Sequence, residues 1–182
     1  MNGIFKMKEI VYLGLGSNLG NRKDNLLNAI DALSKRCGKI KDVSSIYETE
    51  AWGFNSDDKF LNMVISIATE IQPQELIKTC KNIEKTLGRK AKKGKGYESR
   101  IIDIDILHFG NKEIQTDTLI IPHPQIEKRN FVLLPLIEVF DDSENQHKKY
   151  KRTLKKLKDD KIEKFMDRSK LLSKKDVVAD LS

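Results

Sequence analysis

Residues 9 to 17 (EIVYLGLGS) put Val11, Leu13 and Leu15 on one side of an extended chain and Ile10 and Tyr12 on the other. Apolar side chains on both faces predict a strand in the middle of a sheet. After the polar turn NLGN the period changes. Leu26, Leu27, Ile30, Leu33 and Cys37 recur at helical spacing over 23 to 37, and Gly38 supplies the stop. Two strand-like runs follow, about 40 to 49 (IKDVSSIYET) and about 60 to 70 (FLNMVISIATE), separated by the turn-rich EAWGFNSDD. A second helix opens at Pro73, carries Leu76, Ile77, Cys80, Ile83 and Leu87, and ends at Gly88. A basic loop then leads into RIIDIDILHFG (100 to 110), and Gly110-Asn111 turns the chain into a short partner strand, about 112 to 116. The order β-α-β-β-α-β predicts an α+β, ferredoxin-like core. Its sheet is mainly antiparallel, with two helices on one face and the other face left for ligands.

The run RIIDIDILHFG carries a chemical problem. Asp103 and Asp105 point to one face of an otherwise apolar strand, while Ile102, Ile104 and Ile106 point to the other. Their Cα atoms lie roughly 7 Å apart, and two carboxylates that close repel unless something positive stands between them. A half-exposed strand with a wet outer face is one explanation. A divalent-cation site is the sharper one, because Mg²⁺ takes one or two carboxylates together with substrate phosphates. The preceding segment, GRKAKKGKGYESR (88 to 100), holds six basic residues against the single acid Glu98. It is not a Walker A loop, since Gly94-Lys95 is followed by Gly96 rather than Ser or Thr. Taken alone it reads as a solvated loop. Joined to a two-aspartate strand, it supplies the cationic half of a phosphoryl-transfer site.

Three further stretches could serve such a site. GLGSNLG (14 to 20) has GxGxxxG spacing, not the dinucleotide fingerprint, and reads as a tight turn that lets something approach closely. IPHPQIEKRNF (121 to 131) gathers His123, Lys128, Arg129 and Phe131 into one span, a second cationic flank. Phe60 and Asn62 share one strand face. They suit ordinary core packing, or a flat heterocycle stacked on the ring and hydrogen-bonded by the amide, with Phe131 covering its other side.

Composition changes the picture in one respect. The net charge of +7 invites a nucleic-acid reading, but residues 1 to 147 hold 21 basic and 21 acidic residues, while 148 to 182 hold 13 and 6. The expected domain, 1 to 147, is therefore neutral, and the excess sits in a lysine-rich extension, 148 to 182, expected to be helical or partly frayed. No apolar run reaches the ~18 residues of a membrane span, and the N-terminus lacks the apolar core of a signal peptide. Cys37 and Cys80, with no CxxC and no histidine at ligand spacing, read as reduced thiols of a cytoplasmic protein.

Together LGLGSNLGNR, YETEAWG, FLN, IEKTLGR, SRIIDIDIL, IPHP and RNF-LLPL resemble the 6-hydroxymethyl-7,8-dihydropterin pyrophosphokinase family of folate biosynthesis, over about residues 9 to 140. The resemblance implies pyrophosphoryl transfer from ATP to the pterin alcohol, giving AMP and the pterin diphosphate. It implies two Mg²⁺ ions held by Asp103 and Asp105. Arg89 and Arg100 would neutralise the transferred group, with His123 and Arg129 on the opposite flank of the phosphates. Phe60 and Phe131 would enclose the pterin, and Asn62 with Thr49 and Trp52 would read its edge. Glu84 and Ile106 would lie on the nucleotide side. The chain departs from the family in its lysine-rich loop, where Tyr97 stands in place of a tryptophan, and in having Phe60 where some relatives carry tyrosine. The expected partners are the two small substrates, with no nucleic acid, no membrane, and a monomeric enzyme. Two rivals are weighed against this. One is a nucleic-acid module on the same topology, opposed by the missing RNP1 pattern and by two carboxylates facing a phosphate backbone. The other is a relative that binds nucleotide without turnover.

Overall fold

The structure is a computed structural model that describes residues 8–51, 58–90, 98–141, 145–157 and 161–173. Its elements are β1 (Glu9–Ser17), α1 (Arg22–Arg36), β2 (Lys39–Val43), β3 (Ile46–Thr49), β4 (Phe60–Thr69), α2 (Pro73–Thr86) and β5 (Asp103–Phe109). These are followed by β6 (Ile114–Gln115), β7 (Ile120–Ile121), a 3-10 turn (Ile126–Lys128), α3 (Asn130–Val139), α4 (Asn145–Leu154), β8 (Ile162–Met166) and α5 (Arg168–Leu172). The main sheet runs β5-β1-β4-β3-β8, with β2 also pairing with β4, and every pairing is antiparallel. The expected α+β, ferredoxin-like order stands, and β1 is central, flanked by β4 and β5.

Local chemistry sets the ends of the helices. The Asn21 side chain caps α1 by accepting from the Asp24 N–H at 3.3 Å, and Pro73 opens α2 where no intrahelical donor is needed. After α1 the chain turns at Gly38, whose φ of 146° is one that side chains rarely adopt. A Cβ at Gly38 would also run into the Ala68 carbonyl oxygen of β4.

The two faces of the sheet are packed differently. Val11, Leu13 and Leu15 of β1, Leu61 to Ile67 in alternation on β4, and Ile104 and Ile106 of β5 meet Leu26, Ile30 and Leu33 of α1 and Leu76 and Ile83 of α2. Cys37 and Cys80 are free thiols buried in this core. On the other face Tyr12, Val64 and Leu107 pack against Leu133, Leu136 and Val139 of α3, with Phe140 and Tyr150 closing the cluster. A register shift opposite Tyr12 and Leu13 lets both Leu107 and His108 join this second core. No helix among the described residues is long and apolar enough to cross a membrane.

Four features differ from expectation. The run 40 to 49 is two strands, not one. The break at Ser44 and Ser45 is buried, and the Ser44 hydroxyl accepts from the Val64 N–H at 2.9 Å where the ladder is interrupted. The short partner after Gly110 pairs with β7 in a separate two-stranded sheet rather than with β5. The reason is local: the Gly110 N–H, at a φ of 49°, still bonds to Ile10 of β1 at 2.7 Å while the following chain leads away. The face expected to be open is half covered by α3 and α4. The lysine-rich extension is not purely helical, since β8 adds a strand to the sheet and α5 buries Leu171 in the main core.

Candidate active site

The uncovered half of the sheet face forms a cavity of about 360 Å³. Gly14 and Gly16, which belong to strand β1 rather than to a turn, are among the residues that line it. A Cβ on Gly16 would come 3.1 Å from Asn62 Oδ1, which explains why that position on the strand carries no side chain. Asp103 and Asp105 of β5 line one end, as their alternation required, while Ile104 faces the helices.

Around the aspartates stands a set of cations. Arg100 Nη1 lies 2.6 Å from Asp103 Oδ2, and Arg89 pairs with the other oxygen. Lys81 of α2, which the sequence reading did not single out, reaches to 3.9 Å of Asp103 and also lines the cavity. His123 and Arg129 also line the cavity, and both act on the charge of Asp105. Burial works against the charge on Asp103, but Arg100, Arg89 and Lys81 outweigh it and hold that carboxyl below its usual range. Asp105 goes the other way. Burial first, and then the charge of Asp103, push its pKa up against the pull of Lys81, His123 and Arg129. Burial lowers the pKa of His123, keeping it neutral near pH 7. The Gln125 N–H donates to its Nδ1 at 3.2 Å, which leaves Nε2 as the proton-bearing nitrogen.

Two buried side chains position this cluster. Glu84 is buried and is not part of the cavity wall; the nucleotide side expected of it is a place it acts on through others. Its Oε1 accepts from the Ile104 N–H at 2.7 Å, between the two aspartates, and from Lys81 at 2.8 Å, while Oε2 pairs with Arg89 at 2.8 Å. Asn18, also missed by sequence reading, accepts from the Arg100 N–H at 2.7 Å and donates to Ser99 Oγ at 2.8 Å. It ties the first turn of the chain to the start of the aspartate strand. Its sequence signal is an Asn inside SNLG, and that of Lys81 is a three-residue spacing from Glu84 that any helical ion pair shares.

The cavity also has aromatic walls. Phe60 of β4 and Phe131 of α3 both line it. Arg100 stands 5.9 Å over the Phe60 ring, and Arg129 stands 5.7 Å over that of Phe131, so each ring is linked to the cationic rim. Asn62 donates to Thr49 Oγ1 at 2.9 Å, which orients its amide beside the rings. Ile106 does not line the cavity; its side chain is buried in the helix-side core. Trp52, the lysines between 91 and 97, and Tyr97 lie outside the described residues. Lys128 does not line the cavity, whereas Thr49, Phe60, Asn62, Arg89, Arg100, Asp103, Asp105, His123, Arg129 and Phe131 converge on it.

Residues 12–141 match the family model described as 7,8-dihydro-6-hydroxymethylpterin-pyrophosphokinase. A Porphyromonas gingivalis protein named 2-amino-4-hydroxy-6-hydroxymethyldihydropteridine pyrophosphokinase is 46% identical over 132 residues, 71% of this chain and 90% of that protein. An Aquifex aeolicus protein of the same name is 43% identical over 148 residues, 81% of this chain and 89% of its own length. Among solved structures, an HPPK-DHPS in complex with substrates superposes with a TM-score of 0.65 at 17% identity. That match covers 82% of this chain and 43% of the other, and it speaks for the fold alone.

Proposed function

The chain belongs to the 7,8-dihydro-6-hydroxymethylpterin-pyrophosphokinase family, and from that premise we propose that it transfers the pyrophosphoryl group of ATP to 6-hydroxymethyl-7,8-dihydropterin, releasing AMP. The observation that carries this reading is one cavity lined both by paired carboxylates with a cationic rim and by aromatic walls. The first set suits a polyphosphate and the second a bicyclic heterocycle.

The donor set fits magnesium. Asp103 and Asp105 line the cavity two residues apart on β5, Glu50 lines it as well, and the described residues hold no cluster of three or more His, Cys, Asp or Glu that could cage a metal on their own. That is the arrangement expected of a hard cation that completes its shell with phosphate oxygens. Asp103 and Asp105 would hold it, two ions being our expectation. When bound, it supplies Lewis-acid stabilisation of charge on the phosphates and acidifies the attacking hydroxyl.

The chain's own groups do the rest. Arg89, Arg100, Lys81 and Arg129 offset the phosphate charge, with His123 as a neutral donor. Phe60 and Phe131 hold the ring by stacking, while Asn62 and Thr49 fix its edge. The pterin hydroxyl then attacks the β-phosphorus of ATP and AMP leaves. A monomeric enzyme acting on these two small substrates is our expectation. The buried free thiols Cys37 and Cys80 suit the reducing cytoplasm.

The test is to incubate the protein with ATP, Mg²⁺ and the reduced hydroxymethylpterin and to separate the nucleotides, with and without EDTA. AMP formed one-for-one with pterin diphosphate, and lost with EDTA, is the expected result. ADP would mean single-phosphoryl transfer to a different acceptor, and no nucleotide product would remove the proposal.

A further inference from the structure

The two aromatic walls belong to different layers. Phe60, Asn62 and Thr49 lie on the sheet, and Phe131 lies near the start of α3. Their separation must therefore be fixed by contacts outside the cavity. Glu138 is seven residues beyond Phe131, two turns along the same face of α3. Its carboxylate reaches β3 and the residue before it. The Ser45 N–H donates to Oε2 at 2.6 Å, and the Tyr47 hydroxyl donates to Oε1. Tyr47 pairs in register with Asn62 and shares a strand face with Thr49. The tyrosine is thus the next side chain along the wall that reads the ligand's edge.

Residues beyond the family match complete this contact. Arg168, the first residue of α5, donates from Nη1 to the Glu138 carbonyl at 2.9 Å and pairs through Nη2 with Asp42 of β2. Its backbone N–H donates to Ser45 Oγ at 3.2 Å. Lys164 of β8 stands 5.9 Å over the Tyr47 ring, and Ile162 pairs with Thr49 itself. Leu171, fully buried, anchors α5 in the main core. One helix wall, two sheet strands and the C-terminal segment are thereby joined at a single point.

We propose that Tyr47, Glu138 and Arg168 form a clasp that sets the distance between the two aromatic walls, making residues 162–172 a positioning element for the pterin. The inference rests on the pterin lying between those walls. None of the three side chains lines the cavity, so each acts through Phe131, Asn62 or Thr49 rather than on the ligand. The clasp also meets the sheet at β3, with β4 and β1 between it and the paired aspartates of β5, so it separates pterin recognition from nucleotide recognition.

The experiment measures KM for both substrates, kcat and the melting temperature for wild type, Tyr47→Phe, Glu138→Gln and Arg168→Ala. Loss of one charge-assisted contact should raise the pterin KM by about tenfold, while the ATP KM stays within about twofold. Tyr47→Phe removes a single oxygen and keeps the ring, so it tests the clasp even if Arg168→Ala unfolds the C-terminal segment. Folded variants with an unchanged pterin KM would overturn the clasp. So would equal rises in both KM values, which would mark a general loosening of the fold. A wild type that makes no AMP from these substrates would remove the substrate reading and the clasp together, whereas an active wild type with insensitive variants removes the clasp alone.

Discussion

The same three strands, β1, β4 and β5, show their odd and even residues to two quite different environments. Towards α1 and α2 the interior positions are apolar, polar residues standing only at strand ends such as Ser17 and Thr69, and Leu13, Ile65 and Ile104 are fully buried. Towards the other side the strands read Tyr12, Gly14, Gly16 on β1 and Asn62, Val64 on β4, with Asp103, Asp105, Leu107 on β5. That second face is itself divided. Its far half is sealed by α3 and α4, and its near half is left as the cavity. One face supplies the free energy of folding, and the alternation of the strand places the chemistry one residue away from it. The site is rigid because its back is the core.

Exchanging the roles of the faces should separate stability from activity. Asp103→Asn and Asp105→Asn are expected to cut turnover by at least about a thousandfold while the melting temperature moves only a few degrees. Steady-state AMP formation beside thermal denaturation checks this, and near-normal activity in either variant would remove the metal role. Leu13→Ala, on the opposite face of β1, should cost about 2–5 kcal/mol of stability and leave both KM values nearly unchanged, as read by urea unfolding and kinetics.

The sealed half of the cavity face can be probed by pH. His108 is buried, with Nε2 2.7 Å from the Tyr150 hydroxyl, and its pKa is lowered by that burial to about 4. Folding therefore favours the neutral ring. Its contribution is fully present above the unfolded pKa of about 6.5 and is lost as pH falls towards about 4. Between pH 7.5 and 5 the wild type should lose about 2 kcal/mol from this group, and His108→Gln should flatten that slope in chemical denaturation. An equally steep loss in the variant would point to another group. The smallest effect is expected at the β1 wall of the cavity. Gly16→Ala would crowd Asn62 and raise the pterin KM about threefold, with little change in stability.

Much of this comparison was legible in the chain itself. Period-two patterning gave the face of each residue in β1 and β4, and in β5 as far as Leu107, where the register shift breaks the alternation, and so brought Asp103, Asp105, Phe60 and Asn62 to one side. What it did not reveal has physical reasons. α3 reads NFVLLPLIEV, apolar almost all round and interrupted by Pro135, so it has no amphipathic period to detect. β8 reads IEKFM, with three of its five residues exposed, because an edge strand has little to bury. The Ser44–Ser45 break depends on a hydroxyl bond to β4, a tertiary contact. Lys81 and Glu84 lie on the helix side of the sequence pattern, yet they reach around the edge of β5 to its aspartates, a route that local spacing does not encode.

The position of β8 has a consequence for the solution behaviour of the molecule. It is the outermost strand next to β3, and its exposed residues, Glu163, Lys164 and Phe165, are mostly charged. Without it, Ile46 to Thr49 would present a bare row of peptide groups at the margin of the sheet, a template on which a second chain could pair. A chain cut short before β8 is therefore expected to self-associate, which light scattering beside the full chain would read.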